Sequence, residues 1–222
     1  MQHYKGWFLP SHEAHLQDWL SHPKNKDVIL NGRVAYQGKK LIAAMAACTK
    51  FRHAVDIGGH VGFFSFNLAH KFEHVTAFEP VGAHRLCFEA NVLVDEALAK
   101  KVTLHACALG KEEGSVSIHT SKGSSGDSYV KGAGDIPMHT LDSFGLGDVD
   151  LIKCDVEGFE RNVMEGAEAT IKKWKPVVLI EQKRQMSADR FGIPALGAVT
   201  LLESWGYRRV AEMSGDYLLI YP

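Results

Sequence analysis

Acidic residues sit in or just after apolar runs at four places in this chain. Asp56 lies in Ala54-Val55-Asp56-Ile57, and Glu79 follows Val75-Thr76-Ala77-Phe78. Asp155 and Glu157 follow Leu151-Ile152-Lys153-Cys154, and Glu181 closes Val177-Val178-Leu179-Ile180. If these runs are strands of an α/β protein, their carboxyl ends open onto the ligand crevice. Acids there can grip hydroxyls, hold a cation or act as a general base.

The first acid heads a glycine-rich turn, Asp56-Ile57-Gly58-Gly59-His60-Val61-Gly62, with the spacing D-x-G-x-x-x-G. This is not the G-x-G-x-x-G of dinucleotide binding, and Asp56 would repel a pyrophosphate placed at the turn. It would welcome a cation or an amine. Glu79, followed by Pro80, ends the next strand, where an acid can accept both hydroxyls of a ribose. A ligand with a ribose, an amino group and a cationic centre but no phosphate fits this set, and S-adenosylmethionine has that chemistry. Gly58 and Gly62 are expected to let the backbone approach it, with the helix that starts near Val61 facing its carboxylate. Asp56 is expected to hold the turn or the amino group, and His60 to lie in the turn or point to solvent.

The stretch Lys153-Cys154-Asp155-Val156-Glu157-Gly158-Phe159-Glu160 places one lysine and three carboxylates between a strand and a helix. Glu160 suits the first turn of that helix through the helix dipole. Asp155 and Glu157 are expected to face the crevice near Gly58. The base candidates are Asp155, Glu157, Glu181 and, by its chemistry alone, His139. Glu181 could instead be spent on an ion pair with Lys183 or Arg184. No dense metal-ligand spacing occurs, so no metal is assigned; Asp155 with Glu181-Gln182 is the one alternative suited to a hard divalent cation.

The 222 residues carry a formal net charge of -1, so no broad basic field draws nucleic acid or an anionic membrane. The four cysteines lack C-x-x-C spacing and lie in apolar runs, as free thiols of a reducing compartment do. No signal-peptide pattern and no apolar run near the roughly 20 residues of a membrane span is present, so a cytoplasmic protein is expected. A nicotinamide oxidoreductase would want the other glycine spacing. A nucleic-acid methyltransferase would want a basic face and a base-flipping aromatic motif. A binding module without catalysis would be expected to lose its acids, and all are present.

Strand signals at about 53–57, 74–78, 102–107, 150–154 and 176–181 alternate with helix signals at about 61–71, 82–94, 158–173 and 195–205. This predicts a parallel sheet with helices on both faces. Tyr207 to Met213 and Tyr217 to Tyr221, joined by Ser214-Gly215-Asp216, predict a closing antiparallel hairpin. Residues 1–50 are read as a helical and hairpin extension packed on a core domain of residues 51–222, with Ser11 capping its first helix. Trp7, Phe8 and Trp19 are expected in the core, covering the acceptor site or at a homodimer face. Between Gly110 and Pro137 the rhythm breaks: Ser115 to His119 is a short strand, and Ser121 to Ser128 a glycine-rich loop expected to touch substrate.

The blocks Val55-Asp56-Ile57-Gly58-Gly59-His60-Val61-Gly62-Phe63-Phe64, Ala77-Phe78-Glu79-Pro80, Thr140-Leu141-Asp142 and Lys153-Cys154-Asp155-Val156-Glu157-Gly158-Phe159-Glu160 occur in that order. Together they resemble the FkbM family of S-adenosylmethionine-dependent methyltransferases, over about residues 53–221. The resemblance implies a Rossmann-like class I methyltransferase fold, with a seven-stranded sheet whose last strand is antiparallel. It implies O-methyl transfer to a hydroxyl of a sugar, glycan or small natural product. Carried over by position, Asp56, Gly58, Gly62 and Glu79 bind the cofactor, with Ile57, Gly59, His60, Phe63, Pro80 and Ala108 around them. Asp155 and Glu157 lie beside the methyl group and the acceptor. The family commonly has Ala-Asn where this chain has Gly59-His60. An amine or nucleic-acid acceptor is the alternative.

Overall fold

The computed structural model describes residues 1–23, 25, 28–121, 123–183 and 185–222. Lys122 of the expected loop and Arg184, one expected partner of Glu181, lie outside the described residues. The chain opens with β1 (Gln2–Tyr4), β2 (Trp7–Leu9), α1 (His15–Ser21), β3 (Ile29–Leu30), β4 (Arg33–Val34) and α2 (Gly38–Ala47). The first half of the main sheet and its crossovers follow: β5 (His53–Ile57), α3 (Phe63–Ala69), β6 (His74–Phe78), α4 (Gly82–Phe88), α5 (Glu96–Ala99) and β7 (Val102–His105). Next come β8 (Ala108–Leu109), β9 (Gly114–Ser121), β10 (Ser124–His139), β11 (Val149–Cys154), α6 (Glu160–Glu165) and α7 (Glu168–Trp174). The chain ends with β12 (Val177–Glu181), α8 (Met186–Phe191), α9 (Gly197–Ser204), β13 (Arg208–Met213) and β14 (Asp216–Ile220).

The main sheet has seven strands in the order β13-β14-β12-β11-β5-β6-β7. β12, β11, β5, β6 and β7 pair in parallel, and β14 runs antiparallel to both β12 and β13. This is the Rossmann-like class I methyltransferase arrangement, with helices on both faces. The parallel strands β5, β6, β11 and β12 are largely buried on both sides, as a doubly covered sheet requires, and the edge strand β7 is only partly covered. One apolar layer holds Val55, Ile57, Ile152, Val178 and Ile180; the other holds Ala54, Phe64, Phe66, Leu151 and Leu179. Among the described residues, no helix is long and apolar enough to cross a membrane.

The first 50 residues pack into the second of these layers. Trp7, Leu9, Leu16, Leu20 and Leu41 are fully buried and share a cluster with Phe63 and Phe66. The Trp7 ring meets Phe63 edge-on at 4.7 Å, a pairing that adds about 0.5–1.5 kcal/mol beyond its buried area. Phe8 stays exposed, and Trp19 packs on Tyr36.

Three local expectations are corrected. The first helix starts at His15 with Ala14 at its N-cap, and Glu13, one residue earlier, accepts from Leu16 N through Oε1 at 2.8 Å. Ser11 instead takes the amino terminus. The helix expected over 158–173 breaks into α6 and α7 at Gly166, where a Cβ would lie 1.9 Å from Gly110 O, and Asp142 accepts from Ala169 N and Thr170 N in the first turn of α7. The expected loop over 121–128 is the tip of a β9–β10 hairpin, whose pairing slips register three times. Those irregularities hide it from a period-two reading of the sequence.

Candidate active site

Strand order reverses between β5 and β11, and a crevice opens where two neighbouring parallel strands send their connections to opposite faces. Lys153 pairs with Asp56 and Cys154 with Ile57, and Asp155 N donates to Ile57 O, so the two motif-bearing strand ends lie side by side. Gly58 has a φ of +76°, and a Cβ there would lie 2.0 Å from Asp155 O. Gly62 has a φ of +89°, and its Cβ would meet Val92 Cγ2 at 2.6 Å. Both glycines are therefore demanded by protein packing. Gly58 also lines the cavity, whereas Gly62 faces α4 and the π-helical turn Glu89–Leu93 behind it.

A cavity of about 320 Å³ lies over these strand ends. On one side Phe78, Pro80, Cys107, Ala108 and Leu109 form an apolar slot beside Glu79. Glu79 is 4% exposed; its Oε2 accepts from His60 N and its Oε1 from Val81 N, both at 2.8 Å, with His84 Nδ1 at 3.2 Å. Two donated amides orient the carboxylate and leave it further acceptor capacity. His60 takes a positive φ of 50° and turns inward: its Nε2 lies 2.8 Å from Ser125 Oγ, and its ring meets His84 edge-on at 4.5 Å. Burial, then His84 and Lys153, holds His60 well below the usual imidazole value, so the ring is neutral.

The opposite side is acidic. Oxygens of Asp155, Glu157 and Glu181 lie within 4.8 Å of one another, close enough to share one cation. Lys183 Nζ stands 3.1 Å from Glu181 and 3.5 Å from Glu157. Burial and then Asp155 push both glutamates up, Glu157 to about 7 and Glu181 to about 9. Arg190 fixes Glu157 from outside: Nη1 donates to Glu157 O at 2.7 Å, and Nη2 reaches Asp127 Oδ1 on the hairpin at 2.8 Å.

The cavity wall includes Ile57, Gly58, Gly59, His60, Phe63 and Glu79, with Pro80 and Ala108 in the apolar slot and Asp155, Glu157 and Glu181 at the acidic side. Asp56 is fully buried behind the turn, where it accepts from Ser65 Oγ at 2.6 Å and faces Lys153. His60, for which solvent was one expectation, points into the wall. His139 is not among the lining residues; it pairs with Glu113 at the far end of β10. Gln182 Oε1 accepts from Ala198 N and Val199 N, so its amide oxygen is spent on capping α9 and not on a cation. Glu160 Oε1 accepts from Gly158 N at 2.8 Å, the helix-start role expected of it.

Several lining residues escaped the sequence reading as site residues, Lys153, Tyr36, His84 and Lys183 among them. Lys153 sits between two acids that only the β5–β11 register brings together. Tyr36 comes from the N-terminal segment and stacks on Phe63 at 4.8 Å. His84 needs the α4 fold-back to reach Glu79. Lys183 was read only as a surface ion-pair partner. A histidine five residues after a strand-end acid was the one signal that could have flagged His84.

The same fold recurs in known proteins. The structure matches a methyltransferase FkbM of Methylobacillus flagellatus KT with a TM-score of 0.54 at 22% identity, over 78% of this chain. This chain spans 44% of that one's length. It matches the precorrin 8W decarboxylase of Methanobacterium thermoautotrophicum at a TM-score of 0.51 and 17% identity, over 88% of this chain and 96% of that one. A ribosomal protein L11 methylase of Lactobacillus delbrueckii subsp. bulgaricus matches at 0.52 and 11%, over 83% and 77%. No curated protein sequence matches. These structural likenesses concern the fold. The family model for the methyltransferase FkbM domain, however, matches residues 56–209, from the first motif acid into the closing hairpin. That is well over half the chain, and the protein belongs to the FkbM methyltransferase family.

Proposed function

We propose that the protein transfers a methyl group from S-adenosylmethionine to a hydroxyl of a sugar, a glycan or another small natural product. The observation that carries this reading is that the glycine turn, Glu79 and the Asp155–Glu157–Glu181 cluster all open into one cavity at the strand-order reversal. The lining suits the donor: an apolar slot beside Cys107 and Ala108 for a base, a pre-oriented Glu79 for a ribose diol, and an acidic side for a cationic centre. When bound, S-adenosylmethionine supplies a methyl group on a sulfonium, open to in-line displacement.

The chain's own residues then have three tasks. Glu79 fixes the ribose end, since both its oxygens are already aimed by backbone amides. Asp155, its side chain about a quarter exposed on the cavity wall, accepts the proton of the attacking hydroxyl as the new O–C bond forms. Glu157 stands next to it and can take over that proton. Tyr36, Phe63 and Phe159 wall the cavity and hold the acceptor in line, where orientation counts for more than any single bond. The excess of carboxylates disfavours a phosphorylated or carboxylated acceptor.

The reading is tested by incubating the protein with methyl-labelled S-adenosylmethionine and a panel of neutral sugars, glycans and polyols. The expected result is label transfer to at least one of them that Asp155→Asn lowers by about 100-fold or more. Transfer only to amines or nucleic acid, or transfer unchanged in Asp155→Asn, would contradict it.

A further inference from the structure

The cofactor's amino-acid tail needs a seat for its carboxylate, and this inference rests on the reading just given. Four amides of the glycine turn are already spent in this chain. Gly58 N and Gly59 N both donate to Phe78 O at 3.0 Å, His60 N donates to Glu79 Oε2, and Gly62 N donates to Gly59 O at 2.8 Å. The Lys153 ammonium is likewise engaged, donating to Gly58 O at 2.9 Å between Asp56 and Asp155. At the acidic side a carboxylate would be repelled.

One polar pair on the wall has hydrogen to spare. His60 is neutral and carries one N–H; Ser125 carries one O–H. Their mutual contact of 2.8 Å uses one of these two hydrogens, whichever tautomer His60 adopts. The other remains free to donate at the cavity surface, which both residues line. Ser125 is 8% exposed and is not held by this contact alone. Its backbone N donates to Glu13 Oε2 at 2.6 Å, and Ala14 N and His15 N both reach Gly123 O. The N-terminal segment therefore clamps the hairpin tip in place over the turn, independently of the serine side chain.

We propose that Ser125 and His60 together bind the carboxylate of the cofactor's amino-acid tail, so that the β9–β10 hairpin supplies a contact for which these four turn amides are already spent. The seat takes an α-amino acid carboxylate, and it makes the N-terminal segment part of cofactor binding through Glu13. Ser125→Ala removes the hydroxyl that either donates at the seat or orients His60 to do so, and it leaves the Glu13 clamp intact, because that clamp uses the backbone amide.

The test compares two ligands that differ only in the carboxylate: S-adenosylhomocysteine and its decarboxylated analogue, 5′-deoxy-5′-(3-aminopropylthio)adenosine. Each is titrated calorimetrically into wild type, Ser125→Ala and Ser125→Thr. Ser125→Ala is expected to weaken S-adenosylhomocysteine about tenfold or more, as loss of a hydrogen bond to a charged group does, while the analogue changes by less than about twofold. Ser125→Thr, which keeps the hydroxyl, is expected to restore most of the loss. An unchanged ratio between the two ligands in Ser125→Ala, whether both weaken or neither does, would overturn the proposal. Wild type binding neither ligand would overturn the cofactor reading beneath it as well, and is told apart by that wild-type titration alone.

Discussion

The ammonium of Lys153 lies 3.4 Å from Asp56 Oδ1, with both side chains buried, and this pair joins the two strand ends that carry the site's motifs. Lys153 also donates to Gly58 O, so one cation ties β11, β5 and the glycine turn together. Burial works against the charge on Lys153, but Asp56 and then Asp155 outweigh it and hold the ammonium above its ordinary value. Burial pushes the Asp56 carboxyl up, opposed by Lys153 and Ser65. Removing one member of such a pair strands the other. Lys153→Met is expected to cost about 3–5 kcal/mol of stability in urea unfolding, and adding Asp56→Asn to recover part of that loss. A loss below about 1 kcal/mol would show that the pair does not hold the strand ends.

Gly58 is the least replaceable residue of the turn. Its φ of +76° and the 2.0 Å approach of Asp155 O to a Cβ leave no room for a methyl group. Gly58→Ala is expected to shift Asp155, cost roughly 2–4 kcal/mol and weaken S-adenosylhomocysteine together with stability. A Gly58→Ala protein as stable as wild type would show that the turn is free to move.

Stability should fall with rising pH between 7 and 9. Glu181 has its folded-state value raised to about 9, so above an unfolded value near 4.3 the folded protein keeps a proton that the unfolded chain has lost. Stability is therefore lost progressively as pH rises from the unfolded value to the folded one, by roughly 2 kcal/mol between pH 7 and 9. Urea unfolding of wild type and Glu181→Gln at both pH values checks it: the variant should show a flatter dependence. A wild type that gains stability across this window would contradict the buried, under-compensated cluster.

Arg190 ties the hairpin to the acid cluster through Asp127 and Glu157 O, and its guanidinium stacks 3.9 Å over the Tyr129 ring. Arg190→Ala should raise amide exchange in residues 124–131 by about tenfold or more while the main sheet stays protected. Unchanged exchange in that segment would mean that Glu13 alone holds the hairpin.

Much of this architecture is legible in the residues themselves. The strands β5, β6, β11 and β12 are short, mostly apolar runs, and Glu79, Asp155 and Glu181 at or just past their ends lead directly to the cavity. Asp56, expected to hold the turn or the amino group, lies behind the turn against Lys153 and Ser65; sequence shows that a strand holds an acid but not which way it faces. The hairpin was hidden for a different reason. Its serines and glycines have the composition of a loop, and its strands are held by partners far along the chain, Glu13 and Arg190, rather than by local alternation. His60 could not be placed without Ser125, and Ser125 could not be placed without Glu13.

The central claim is that this cavity binds S-adenosylmethionine through Glu79. Calorimetric titration of S-adenosylhomocysteine into wild type and Glu79→Ala tests it most directly. The expected result is micromolar binding by wild type, weakened about 100-fold or more in a folded Glu79→Ala protein, as loss of a carboxylate accepting two hydroxyls requires. Absence of binding by folded wild type, or equal affinity in the variant, would contradict it.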